Sequence, residues 1–108
     1  MTRTLGVEQR VEDALYEVLD PDLGVNVMDL GFVRDITVVE GRADITMTLT
    51  SPACPLTPIM EDQIRTALVE DGRIVDDFRV VWEWSPRWTP AAISESGREQ
   101  LSAIGFSF

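Results

Sequence analysis

The one cysteine of this chain, Cys54, lies in the run Thr50-Ser51-Pro52-Ala53-Cys54-Pro55, between a strand-like and a helix-like segment. Pro55 has no N–H and a preset φ, so it suits the first position of a helix and places Cys54 just outside it. There the first-turn amides and the positive end of the helix dipole favour a thiolate, the form that binds metal and attacks electrophiles. The competing reading is that Cys54 is a small buried hydrophobe, as free cysteines usually are. Asp20 and Asp22, in Asp20-Pro21-Asp22, are in the preferred reading turn residues bonding their own backbone, with hard oxygen ligation the alternative. Asp29 precedes Gly31 in an otherwise apolar stretch, and its preferred reading is a buried carboxylate that fixes a loop.

What the chain lacks narrows the chemistry further. It has no histidine, which removes Cys–His and Ser–His–Asp hydrolases and His-based metal sites. A single cysteine forms neither an intrachain disulfide nor a cysteine-rich zinc site. Nor does it hold an iron–sulfur cluster alone, because a cluster normally takes four protein ligands. Any cluster at Cys54 must therefore borrow ligands from a second subunit, a carboxylate, a small thiol or a partner protein. The 108 residues fit one domain, with a core at about 5–84 and an arm at 85–108. A net charge of −10 argues against nucleic acid, since no basic patch would neutralise phosphates. No stretch is apolar enough to span a bilayer or to serve as a signal core. With a lone free thiol, the expected location is cytoplasmic.

The elements that must position these groups read helix, strand, strand, helix, strand, then a C-terminal helical arm. Val7, Val11, Ala14, Leu15, Val18 and Leu19 recur at helical spacing and predict a helix ending near Asp20-Pro21. Glu8, Glu12, Asp13 and Glu17 are assigned to its solvated face. Phe32 to Val39 predicts a strand, Glu40-Gly41 a turn, and the alternation from Ala43 to Thr50 a second strand, closing a hairpin. Leu56, Ile59, Met60, Ile64, Ala67 and Leu68 keep helical period until Asp71-Gly72, where Gly72 supplies a stop. Phe78, Val80, Trp82 and Trp84 alternate as a third strand. A strand–helix–strand run favours a right-handed crossover and a parallel pairing. The sum is an α+β fold: a two-layer domain with helices on one face of a small mixed sheet.

Ser85-Pro86-Arg87-Trp88-Thr89-Pro90 cannot continue a strand. A short helix follows, with Ser96 and Glu99 at capping-box spacing. Trp84 and Trp88 anchor this arm to the sheet in the preferred reading, since tryptophans are mostly buried. In the alternative, Trp84, Arg87 and Trp88 form a partner-docking loop.

Three motifs in order carry a resemblance over almost the whole chain. Asp20-Pro21-Asp22-Leu23-Gly24-Val25-Asn26-Val27-Met28-Asp29-Leu30-Gly31-Phe32-Val33, the Cys54 loop, and Trp84-Ser85-Pro86-Arg87-Trp88-Thr89-Pro90 with Ile93-Ser94-Glu95 resemble a small family of metal–sulfur cluster assembly factors. That family includes SufT-like proteins and the PaaD-like subunits of phenylacetate degradation. The resemblance implies a domain that helps mature iron–sulfur proteins by carrying a cluster or handing it to a target. It places the cluster ligand at Cys54 and polar neighbours at Asp20, Asp22, Thr50 and Ser51, with Asp29 a further member. Asp22 stands where the family usually has glutamate, which shortens that carboxylate. Ser85 and Arg87 stand where it has aspartate and proline, which puts partner recognition there in doubt. PaaD-like proteins usually add a cysteine-rich C-terminal segment, whereas this sequence runs to Phe108 without one, so the general assembly branch is expected.

Three classes of function follow. The first is a non-enzymatic carrier, with a transient cluster held by Cys54 and shared with a homodimer mate or a partner. Its partners would be iron–sulfur apoproteins and other assembly proteins. The second is a metal-free adaptor that docks apoproteins through the Pro86–Trp88–Pro90 loop, or a PaaD-like accessory subunit of an aromatic-degradation complex. The third, a thiol enzyme or redox sensor, ranks last. It needs a resolving thiol from outside the chain, and an acidic surface opposes a strongly lowered thiol pKa.

Overall fold

The computed structural model describes residues 5–21, 23–49, 57–71 and 73–105. Helix α1 (Leu5–Leu15) leads into a hairpin of β1 (Val33–Val39) and β2 (Arg42–Met47). Helix α2 (Thr57–Arg65) follows, then a π-helical turn (Thr66–Glu70), β3 (Asp77–Trp82) and, after a 3-10 turn (Pro90–Ala92), helix α3 (Glu95–Ala103). The sheet order is β1-β2-β3, antiparallel across the hairpin and parallel between β2 and β3. The expected α+β architecture with a mixed sheet is therefore the fold observed. Glu40 and Gly41 turn the hairpin at φ +50° and +79°, the type I′ arrangement that matches strand twist.

Register decides which face is covered. Ala43, Ile45 and Met47 of β2 are buried and stand opposite Phe78, Val80 and Trp82 of β3. On this face the core closes with Val11 and Leu15 of α1, Met60 and Ile64 of α2, and Leu68 of the π-helical turn. The other face is open and carries charge: Asp44 bridges Arg42 at 3.0 Å and Arg79 at 3.4 Å. Among the described residues no helix is long and apolar enough to cross a membrane.

Several local expectations change. Helix α1 stops at Leu15, not near Asp20-Pro21. Tyr16, Glu17 and Val18 make tight i→i−3 bonds, and the chain then enters an antiparallel bridge between Leu19 and Asn26. Val18 stays in the core, but Leu19 is 44% exposed. Strand β2 ends at Met47, although Thr48 still donates to the Phe32 carbonyl at 2.8 Å. Pairing with β1 is lost there because that strand begins only at Val33. The second helix is regular only to Arg65, after which Asp71 N–H bonds the Thr66 carbonyl at 2.8 Å in π geometry. Ile59, counted in its apolar face by period, is 48% exposed. The expected stop at Gly72 lies outside the described residues.

Glu8 is the largest correction. Assigned to the solvated face, it is 9% exposed, and its Oε2 accepts from Val38 N–H at 2.9 Å. Val38 belongs to β1, an edge strand whose outward amide would otherwise lack a ladder partner. The α1 carboxylate caps the sheet edge. Glu8→Ala is expected to lower unfolding free energy by roughly 1–3 kcal/mol, the cost of a buried amide without its acceptor. Glu17→Ala, at an exposed position of the turn after α1, is expected to stay within about 0.5 kcal/mol in the same urea titration.

Candidate functional site

Asp20 is buried where the chain reverses after α1. Its Oδ1 accepts from Leu23 N–H at 3.0 Å, and its backbone exchanges bonds with Val25 and Gly24. This is local turn chemistry of the Asx type. The reversal is fastened to α2 by Gln63, whose side-chain amide donates to the Leu19 carbonyl at 3.0 Å and accepts from Leu19 N–H at 3.1 Å. A side chain thus stands in for a neighbouring strand. Asp22, Thr50, Ser51 and Cys54 lie outside the described residues, as does Pro55 with its expected place at the helix start. Connectivity alone sets that last segment between Leu49, beyond the carboxyl end of β2, and Thr57, which opens α2.

Asp29 organises the next turn. It is 8% exposed, and three donors converge on its carboxylate: Asn26 Nδ2 at 2.7 Å, Ser94 Oγ at 2.7 Å and Gln100 Nε2 at 3.1 Å. Asn26 answers in both directions, its Oδ1 accepting from Asp29 N–H at 2.8 Å. Ser94 gives its hydroxyl proton to Asp29 and uses a lone pair to accept Gly97 N–H at 2.9 Å, which makes it the N-cap of α3. The cap is Ser94 rather than the expected Ser96, because the Asp29 contact fixes where the helix begins. Burial raises the carboxyl pKa, and the bonds from Asn26, Ser94 and Gln100 lower it more, leaving it below the ordinary value.

The arm closes on this turn at very short range. Gly31 has φ +76°, and a Cβ there would lie 2.4 Å from the Ala92 carbonyl oxygen. A Cβ on Gly97 would meet the Asp29 carbonyl oxygen at 2.7 Å. Only glycine permits either approach. Trp88 is half-buried, not exposed: its indole N–H donates to the Leu30 carbonyl at 2.8 Å, and its ring meets Phe32 edge-on at 5.6 Å. Trp84 stacks on Trp82 at 6.0 Å, and the Trp82 indole N–H bonds Glu61 of α2 at 3.0 Å. Arg34 bonds the carbonyl of Pro86 and pairs with Glu83 at 3.1 Å, holding the start of the arm. Arg87 is exposed.

The structure therefore joins Asp29 and Trp88 around one turn. Asp20 belongs to the preceding reversal, and Trp84 to an aromatic pair at the end of β3. Asn26, Gln63 and Gln100 were not singled out from the sequence. The i, i+3 spacing of Asn26 and Asp29 is a legible turn signal, whereas nothing local marks Gln63 or Gln100. Among the described residues no three His, Cys, Asp or Glu side chains come together to hold a metal ion.

Asp29→Ala is expected to cost about 2–4 kcal/mol, since three donors lose one buried acceptor. The pH dependence follows from the lowered pKa. The stabilisation is complete above the unfolded carboxyl value of about 3.9 and is lost as pH falls through the lower folded value. Urea midpoints of wild type and Asp29→Asn, measured from neutral to strongly acidic pH, should therefore converge only below about pH 4.

Residues 8–73 match the family described as iron-sulfur cluster assembly protein. The chain is 44% identical over 96 residues to the Fe-S protein maturation auxiliary factor YitW of Bacillus subtilis, covering 88% of this chain and 93% of that one. It is 42% identical over 85 residues to the Fe-S protein maturation auxiliary factor SufT of Staphylococcus aureus, covering 78% and 96%. A crystal structure from Bacillus anthracis, described as a domain of unknown function DUF59, superposes with a TM-score of 0.85 at 31% identity, covering 91% and 93%. The cysteine loop and the Asp29 turn both fall inside the matched span, and on these grounds the chain belongs to the iron–sulfur cluster assembly protein family.

Proposed function

We propose that this protein helps mature iron–sulfur proteins by carrying a cluster as cargo, with the Cys54 thiolate as the chain's own ligand. The carrying observation is the family match over residues 8–73, which contains the only cysteine of the chain. Relatives of nearly the same length are named Fe-S protein maturation auxiliary factors, which supports a maturation role rather than catalysis. Thiolate is a soft ligand suited to iron and sulfide-bridged clusters. One such ligand per chain leaves the remaining positions to a second subunit or a partner. Binding of that kind stays exchangeable, as delivery to an apoprotein requires. Asp22, Thr50 and Ser51 are the polar neighbours we assign to the Cys54 segment. We place Asp20 and Asp29 outside the ligand set, because Asp20 is engaged within its own turn and Asp29 by Asn26, Ser94 and Gln100. A lone thiol suits the reducing cytoplasm, where we place the protein's work.

The adaptor reading has less support. Trp88, its chief anchor, already spends its indole N–H on Leu30 and its ring on Phe32. Trp88→Ala would therefore loosen the arm before it removed a docking contact.

Anaerobic reconstitution with ferrous iron and sulfide tests the proposal, read by visible absorption and size-exclusion mass. Wild type is expected to develop a sulfide-to-iron band and to elute as a dimer, while Cys54→Ala stays colourless and monomeric. A metal-free wild type under the same conditions would overturn the carrier reading. A band retained by Cys54→Ala would remove the cysteine from the ligand set.

A further inference from the structure

Leu19 and Ile59, the two apolar residues that helical period assigns to the core and the fold exposes, are each related to Gln63. Gln63 bonds both backbone groups of Leu19. Ile59 lies four residues before Gln63 on α2, one turn away on the same face. Gln63 also walls a groove of about 540 Å3 that runs between the end of α1 and α2. Its small apolar lining is Ala14 and Ala67; Glu17, Asp62 and Asp71 add three carboxylates, and among the described residues no cation lines it.

These properties specify an occupant. The two alanines allow close approach of a backbone, and Leu19 and Ile59 extend the apolar surface beyond the groove. The carboxylates do not gather into a metal-holding group among the described residues, so they suit distributed positive charge rather than one ion. A second copy of this chain would bring its own charge of −10 toward a negative groove, which disfavours self-association here. We propose that the groove docks a short basic amphipathic helix of another protein. Its apolar stripe would pack on Ala14, Ala67, Leu19 and Ile59, and its flanking Arg or Lys side chains would meet Glu17, Asp62 and Asp71. Docking needs neither Cys54 nor a cluster, so the inference stands apart from the carrier reading.

The test uses the whole metal-free chain, labelled with 15N, and a synthetic peptide of about 14 residues, roughly 21 Å as a helix. The peptide carries leucines at i, i+3, i+4 and i+7 with arginines beside them. At about 0.15 M ionic strength the Debye length is near 8 Å, so mainly the charges beside the bound peptide count. Amide shifts are expected at Ala14, Glu17, Gln63 and Ala67. Neutralising the groove (Glu17→Gln, Asp62→Asn, Asp71→Asn together) should weaken binding about ten-fold. An equal charge change at exposed positions elsewhere (Glu40→Gln, Asp77→Asn, Glu99→Gln) should change it less than about two-fold. Ala67→Gln, which narrows the groove and keeps the charge, should also weaken it. Equal weakening by both triple variants, or shifts scattered over the surface, would mean net-charge attraction alone and would overturn the proposal.

Discussion

A buried carboxylate needs donors, and the Asp29 side chain obtains three of them, from its own turn and from α3. Asn26 comes from its own turn, Ser94 from the cap of α3 and Gln100 from the next turn of that helix. An ionised group left without such partners inside a protein is strongly destabilising, so the turn and the arm depend on each other. Ser94 makes the dependence explicit, because one hydroxyl serves both the carboxylate and the first turn of α3. The negative group also lies at the positive end of the helix dipole, which adds to the attraction. Around it, Gly31 and Gly97 let backbones approach, and Trp88 seals the contact against Phe32.

The same economy of polar satisfaction recurs elsewhere. Glu8 covers the outward Val38 amide of the edge strand, and the Gln63 amide completes the backbone of Leu19. In each case a side chain supplies what a further strand would have supplied. A small three-stranded sheet can then end without leaving buried groups orphaned. Leu19 and Ile59 stay outside the core, and Gln63, which fastens the reversal to α2, also lines an acidic groove.

Cys54 lies among residues 50–56 of the sequence. Residues 50–56 join the carboxyl end of β2 to α2, within the strand–helix–strand unit that pairs β2 with β3 in parallel. The family match over residues 8–73 spans that connection.

Element types and order were legible in the sequence because they rest on period. The alternation from Ala43 to Leu49, the helical spacing around Met60 and Ile64, and the Glu40-Gly41 turn are local signals, and their register places one face inward. The motifs around Asp20, Cys54 and Trp84 were equally legible, and they sufficed for the family. Tertiary structure decided the rest. Period cannot tell that Glu8 will be drawn inside by an edge amide, that α1 yields to a bridge at Leu19, or that the cap of α3 is Ser94. Gln100 meets Asp29 across 71 positions of sequence, and Gln63 meets Leu19 across 44. Hydrophobic patterning is written residue by residue, whereas the pairing of buried polar groups depends on which distant segments arrive together, and that is known only once the chain has closed.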